Sequence, residues 1–507
     1  MTGARREAPW RPVRRSLALS VALALAACSM GPDYVRPSAP VAEHFKEAPP
    51  AVAPSADSAL WKPVEPASGA PAANSPPWWE IYGDAQLDAL EVQVAAANQN
   101  VAAAAARYQA ARATIAQARS ALFPTLALDS AFTQTHASRK VLYKSSAGVT
   151  VPDYLLGAQV SWEPDLWGRL SRTVESAQAG AQASAADLQG AVLSMQAELA
   201  SDYFQLRGIK QERELLDQTV RSYQQAADLT HQRYLGGVAA EADWAQAEAQ
   251  LRAAQAQALD LDVTRSQLEH AIALLVGQSP SSFTPEAAAL GRPDDPAPAA
   301  ALAAVPLGVP SMLLQRRPDI AAAERRVAAA NARVGVAIAA FFPDLMLTLT
   351  GGVESTNFSP WLTAPSRYWS LGPQLAGTIL DFGGRAATRD QARANYDESV
   401  ANYRETVLGA FQQVEDNLAA LRILDAEAQA QQAAVQAAQR ALRLAHNRYE
   451  NGASTYLDVV VAQTIALSDE RAAVALARRR LTASVGLVKA LGGGWNAAQL
   501  AAPGKAK

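Results

Sequence analysis

The sequence predicts a mainly helical protein with a small β part, built as two tandem copies of one unit. Three observations predict it. Alanine supplies 114 of the 507 residues and aromatics only 7%, and alanine-rich sequence carrying Gln, Arg and Glu favours long, closely packed helices. Two stretches run without proline, one between Pro164 and Pro280 and one between Pro373 and Pro503. Motifs also recur at a nearly constant offset. Arg233-Tyr-Leu-Gly-Gly237 returns as Arg448-Tyr-Glu-Asn-Gly452, His231 as His446, Asp165-Leu-Trp-Gly-Arg169 as Asp381-Phe-Gly-Gly-Arg385, and Phe123-Pro124 as Phe342-Pro343. Repeats at a fixed spacing mean a repeated structural unit.

The N-terminus sets the compartment. Arg5, Arg6, Arg11, Arg14 and Arg15 precede an apolar stretch from Leu17 to Ala27. A charged segment followed by a short apolar one is a secretory signal, too short to span a bilayer in the mature chain. The signal occupies 1–27 and stops at Cys28, the only cysteine. Leu25-Ala26-Ala27-Cys28 resembles the bacterial lipobox, which implies cleavage before Cys28 and a covalent lipid on it. Ser29 in place of an aspartate favours the outer membrane by the same resemblance. A lipid tail anchors a chain to a membrane surface without spanning it. Residues 28–80 form an extended segment, rich in Pro, Ala and Ser from Gly31 to Pro77: a tether or a strap.

The first repeat covers 81–277, a Pro-rich linker 278–317, the second repeat 318–495 and a tail 496–507. Each repeat reads helix, hairpin, helix, turn, helix. The first helix runs about 84–122 (second copy 318–341) and ends at the Phe-Pro pair, because proline stops a helix and extends the residue before it. Alternation follows. Leu126, Leu128 and Phe132 are answered by Leu156, Ala158, Val160 and Trp162; in the second copy Leu345, Leu347 and Leu349 are answered by Trp369, Leu371, Leu375 and Ile379. Period two with one apolar face is the strand signature, so the chain has four strands in two hairpins.

The remaining helices are long. From Arg169 to Tyr234 the stretch is on the order of 100 Å at about 1.5 Å per residue. Its seam has coiled-coil spacing: Leu206, Ile209, Leu216, Val220, Tyr223, Ala227, Thr230 and Tyr234. The second copy repeats the register at Leu421, Leu424, Gln431, Val435, Ala438, Leu442, Ala445 and Tyr449.

Several function classes drop out. A net charge of −3 offers no basic face for nucleic acid. No run of 18 apolar residues exists, which excludes a membrane-spanning helix. His44, His136, His231, His270 and His446 lack metal-ligand spacing, and neither a GK[ST] phosphate loop nor a GxSxG elbow occurs. The chain is expected to have no catalytic or metal site and no cofactor beyond the lipid on Cys28. Four amphipathic strands cannot close a barrel, and an open sheet edge cannot sit in lipid. Other chains must complete the sheet, and identical copies in a closed ring are the simplest solution.

Here a resemblance becomes specific. Val309-Pro-Ser-Met-Leu-Leu-Gln-Arg-Arg-Pro-Asp-Ile320 with Ala323-Glu324, the start Cys28 with Gly31-Pro-Asp-Tyr34 and Arg36-Pro37, and the close Lys489-Ala-Leu-Gly-Gly-Gly-Trp495 resemble the outer-membrane factors of tripartite efflux pumps, the TolC/OprM/NodT-like lipoproteins. The similarity covers nearly all of the mature chain; Met312 departs where the family often has aspartate. The resemblance implies a homotrimeric channel-tunnel, a 12-stranded outer-membrane barrel continued by a 12-helix periplasmic α-barrel. Its partners are a periplasmic membrane-fusion adaptor, an inner-membrane transporter, most simply of the RND type, and outer-membrane lipid. The function implied is a passive exit duct for drugs or toxic compounds. A duct of a type I-like secretion system and a structural coiled-coil lipoprotein are the alternatives.

The resemblance also implies site residues. The turns at Gly236-Gly237 and Asn451-Gly452 are the periplasmic tips. Asp458 is similar to the family's aperture aspartates, so a ring of three would make opening depend on salt or pH. Asp243, its equivalent in the first copy, is expected to latch to Tyr449 on the neighbouring tip. The family's basic latch residue is absent, since Ser454 stands there. Gly236, Gly237, Gly452, Ala453 and Ser454 offer small residues for adaptor docking.

Overall fold

A computed structural model describes residues 30–42, 44–47, 77–140, 148–283 and 313–500. The signal segment, Cys28 and most of the linker lie outside the described residues. Apart from the first helix, the halves match element by element. The first has α1 (Ala85–Ala97), α2 (Gln99–Ser120), β1 (Thr125–His136), β2 (Thr150–Trp162), α3 (Arg169–Leu235) and α4 (Glu241–Leu275). The second has a single turn Leu313–Arg316, then α5 (Pro318–Ala339), β3 (Asp344–Ser355), β4 (Arg367–Ala376), α6 (Gly384–Glu450) and α7 (Tyr456–Ala490). The long helices α3 and α6 have 67 residues each, and α4 and α7 have 35 each. Every position of both predicted seams is buried or half-buried.

Two expectations need correction. The first helix is two helices, because Asn98 interrupts it with extended backbone (φ −66°, ψ 126°). Its side-chain oxygen accepts from the Asn100 and Val101 amides, at 2.9 and 3.2 Å, capping α2. Ile379 is not in the return strand, which ends at Ala376.

The described chain divides into two compact units, each drawing on both halves: one comprises the segment up to Ser38 with Tyr108–Ala183 and Ala323–Tyr403, the other Ala39–Arg107, Ser184–Ala322 and Arg404–Lys507. In the first unit the strands form one antiparallel sheet in the order β1-β2-β3-β4, leaving β1 and β4 as edges. The register aligns Leu128, Ala158, Gly351 and Trp369 across one face, and Leu126, Val160, Leu349 and Leu371 in the next row. These rows make an apolar band open to the surroundings, bounded by the next row on that face, Ser130, Leu156, Val353 and Arg367. The opposite face carries rows such as Thr125-Ser161-Thr348-Gly372 and Ala127-Gln159-Thr350-Ser370, with Asp129, Asp153 and Glu354. Tyr368 lies across this polar face. In its row a Cβ on Gly352 would come within 2.2 Å of the Leu156 carbonyl oxygen, so that position needs a glycine.

The N-terminal segment straps the same unit. The Met30 amide donates to the Trp167 carbonyl (3.2 Å), Asn331 to the Pro32 carbonyl (3.0 Å), and Arg172 pairs with Asp33 and Glu175, both at 2.8 Å. Tyr34 donates to Glu324, and Arg325 stacks over the Tyr34 ring. Burial and the Glu324 carboxylate push the Tyr34 hydroxyl well above the ordinary tyrosine range.

The second unit is built around Tyr82, Leu87, Val94, Tyr203, Phe204, Ile272 and Val485. It contains a joint made twice. Asn98 donates to the Leu275 carbonyl (2.9 Å) at the end of α4, and Arg317 donates to the Ala490 carbonyl (2.8 Å) at the end of α7. Gly277 and Gly492 follow those ends with φ of +73° and +95°. A Cβ on Gly277 would sit 2.4 Å from the Ala97 carbonyl oxygen, and one on Gly492 2.0 Å from that of Arg316. The Arg-Arg-Pro-Asp and Leu-Gly-Gly-Gly motifs, which begin at Arg316 and Leu491, are the two sides of one contact.

Candidate functional site at the helix-hairpin tips

Each tip is closed by the same backbone device. After α3, Val238 donates to the Arg233 carbonyl and Gly237 to that of Tyr234, both at 2.9 Å. After α6, Ala453 donates to Arg448 (2.8 Å) and Gly452 to Tyr449 (3.0 Å). This is a Schellman cap, and it demands the left-handed φ of +71° at Gly237 and +69° at Gly452. Those two glycines therefore have a local reason to be there, whatever else the tips do. Gly236, Gly452 and Ala453 are exposed, while Ser454 is half-buried and its hydroxyl has no hydrogen-bond partner. Val238, the most exposed large apolar residue of the first tip at 81%, stands beside Leu235.

Beneath the turns, the side chains differ between halves. Tyr449 and Tyr456 are both buried, with ring centroids 5.3 Å apart. They share a cluster with Tyr223, Ala227, Leu251 and Val459. Arg233 of the first half covers the Tyr449 ring at 4.9 Å from the centroid, a cation–π contact that ties the two hairpins together. Burial, then Tyr449, Tyr223 and Asp243, push the Tyr456 hydroxyl up to about 12. The first tip instead stacks Trp244 against both His231 (4.5 Å, 19°) and Tyr234 (5.9 Å, 15°). His446, the repeat equivalent of His231, faces Glu450 at 3.2 Å.

The carboxylates sit in the first turns of α4 and α7, where the helix dipole favours negative charge. Asp458 is exposed and receives a long contact from the Thr455 hydroxyl, 3.5 Å. Asp243 is half-buried and acts electrostatically on Tyr456. No hydrogen bond joins Asp243 to Tyr449 within the chain. Sequence reasoning missed Arg233 and Trp244. The doubled His-x-Arg-Tyr motif marks Arg233 as a tip residue, but nothing local says that its partner lies in the other half.

Among the described residues no helix is long and apolar enough to cross a membrane, and no cluster of His, Cys, Asp or Glu could hold a metal. The sheet carries an exposed apolar band.

Comparison with known proteins fits this arrangement. The family described as Outer membrane efflux protein matches the chain twice, over residues 90–278 and 309–493. Outer membrane protein OprJ of Pseudomonas aeruginosa is 32% identical over 481 residues, 94% of this chain and 95% of that protein. Antibiotic efflux pump outer membrane protein ArpC of Pseudomonas putida is 31% identical over 480 residues, 95% of each. The solved outer-membrane channel OprN superposes with a TM-score of 0.81 at 30% identity, covering 92% of this chain and all of that one.

Proposed function

Because the chain belongs to the outer membrane efflux protein family, whose members are outer-membrane channels of efflux pumps, we propose that three copies assemble into a passive exit duct for drugs or toxic organic compounds. It is a channel and not an enzyme. One observation supports the trimeric reading: a four-stranded sheet with both edges unpaired, one face carrying an exposed apolar band and the other polar rows. Such a sheet is stable in a bilayer only when closed by further strands, apolar face to lipid and polar face to water. Three copies supply 12 strands. The cargo class follows the relative named for antibiotic efflux.

In this reading a lipid on Cys28 anchors the start of the strap, only two residues before Met30. The tips form the periplasmic gate. Three copies of Asp458 ring the aperture, where like charges resist close approach and draw cations. Asp243 and Tyr449 serve as latch residues between neighbouring tips. Gly236, Gly237, Gly452, Ala453 and Ser454 form the docking surface for a membrane-fusion adaptor, which couples the duct to an inner-membrane transporter.

The decisive experiment is reconstitution. Purified protein in planar bilayers should insert as a trimer and pass a small cation-selective current, enlarged by Asp458→Ala. Asp243→Ala with Tyr449→Phe should enlarge it independently. A protein that stays monomeric in detergent and passes no current overturns the proposal. Unchanged conductance in the double variant removes the latch alone.

A further inference from the structure

The strand-to-helix joint is made twice in the chain, and only one of the two copies is covered. In the first half β2 leads through Asp165-Leu166-Trp167-Gly168 into α3. Asp165 caps that helix through the amides of Leu170 (3.0 Å) and Ser171 (2.7 Å). Trp167 then lies against the start of the second half. Its ring stacks on Phe342 (4.9 Å between centroids, 24°) and its indole nitrogen donates to the Pro343 carbonyl at 2.8 Å. Trp167 and Phe342 are both half-buried.

In the second half β4 leads through Asp381-Phe382-Gly383 into α6. Asp381 again caps the helix, through the amide (3.0 Å) and the guanidinium (2.7 Å) of Arg385. Among the described residues, nothing covers this joint as Phe342 and Pro343 cover the first. Ile379, Leu380 and Phe382 stand in the open, Ile379 at 98% and Phe382 at 93% exposure. Phe382 also holds a φ of +50°, the one non-glycine residue with positive φ among those described. An aromatic side chain adopts that region only at a conformational cost, and at 93% exposure Phe382 has little packing among the described residues to offset it. At the far side of the same unit, Phe123 and Pro124, the repeat equivalents of Phe342 and Pro343, are equally bare. Phe123 is 66% exposed.

We propose that Phe382, with Ile379 and Leu380, is a subunit seat that receives the Phe123-Pro124 corner of a neighbouring copy at the place where Trp167 receives Phe342 and Pro343 within the chain; the repeat register puts Gly383 at the Trp167 position, so Phe382, one residue earlier and equivalent to Leu166, supplies the ring. The geometry of the internal joint selects a second copy as the occupant, because the missing half-joint is one that this chain itself carries at its other edge. The contact is head-to-tail, so it closes a ring rather than a two-fold pair. It also brings the bare edges β4 and β1 to the same boundary. The inference rests on the trimeric reading above and adds to it the side chains that set the boundary.

The test uses cysteine pairs in the full-length protein, where Cys28 is the only native cysteine. In membranes treated with a mild oxidant, Phe123→Cys with Phe382→Cys should turn the heat-dissociated monomer band into a covalent trimer. Either single variant and the unmodified protein should stay monomeric after heating, because a head-to-tail contact cannot link a residue to its own copy. Phe382→Ala should lower the temperature at which the trimer dissociates, with no additional loss when Phe123→Ala is added. A trimer seen by native mass measurement but not linked by this pair overturns the seat and leaves the channel reading standing. Quenching of a fluorophore at position 382 by nitroxide lipid in that trimer would make lipid the occupant and equally overturn it. Absence of any trimer overturns both.

Discussion

In the first half, α2 buries only Val101 and Ala104; in the second, its equivalent α5 buries Ile320, Ala322, Val327, Ala332 and most of the residues between them. The long helices show the reverse. The first turns of α3 bury Leu170, Val174, Ala179 and Ala181, whereas α6 reaches its first buried residue only at Val400. The sequences of each pair are alike and their backbones match, so the contrast is not one of propensity. It arises because α3 and α5 meet inside the chain while α2 and α6 are left at its outer edges. In the trimer proposed above, these equivalent surfaces with unequal burial are what a neighbouring copy would cover.

The joint between first and last helices is where the halves should respond alike, and with the largest effect. Gly277→Ala and Gly492→Ala each force a Cβ onto a carbonyl oxygen from a left-handed residue. Each should cost upwards of about 3 kcal/mol, from strain and overpacking together, and abolish heat-resistant trimers on gels. If one is tolerated and the other is not, the two halves are not equivalent at this joint.

The helix pair should respond unequally. Ala332→Leu enters a site with no exposure and should destabilise the chain by about 1–3 kcal/mol. Ala113→Leu, at the equivalent exposed position, should leave the folding of a single chain unchanged and weaken only the trimer. Thermal unfolding followed by circular dichroism, with trimer dissociation measured separately, distinguishes the two. Equal losses in chain folding would break the comparison.

Much of this plan was legible beforehand. The seam positions are periodic, the Phe-Pro pairs end helices by covalent constraint, and the alternating strands declare their apolar face. The break at Asn98 was not legible. It depends on a side chain reaching Leu275, 177 residues away, within a run whose alanines all favour helix. The Arg233–Tyr449 contact was hidden for the same reason, since each residue reads as an ordinary position on its own helix. At the tips the legible part was the turn glycines, whose φ requirement is local. The side-chain pairing across halves is not.

The segment that most separates the halves is α1, matched in the described second half by one turn, Leu313–Arg316. It buries Glu91 completely, with neither carboxylate oxygen hydrogen-bonded. Burial first, and then Asp88, push its pKa up to about 9 from 4.5. The folded-state value lies above the unfolded one, so the folded chain keeps a proton that the unfolded chain loses. That stability is fully present below pH 4.5 and is lost as pH rises towards 9. Glu91→Gln should therefore raise the thermal midpoint at neutral pH and flatten its fall with pH, by at most about 1.4 kcal/mol per pH unit. A slope unchanged by the substitution would show that Glu91 is ionised in the folded protein.

The smallest effect belongs to the tips, where the comparison is finest. Arg233 and Arg448 are repeat equivalents, yet of the two only Arg233 covers an aromatic ring. If the tips form the gate proposed above, Arg233→Gln should weaken the closed tip by about 0.5–1 kcal/mol, read in planar bilayers as longer or more frequent openings. Arg448→Gln should leave opening as it was. The pair separates the cation–π contact from a general effect of positive charge near the aperture, because each variant removes one charge per chain. Equal changes in the two would assign the effect to charge and remove Arg233 from the gate; a change in Arg233→Gln alone would place the join between the two hairpins among the contacts that opening must break.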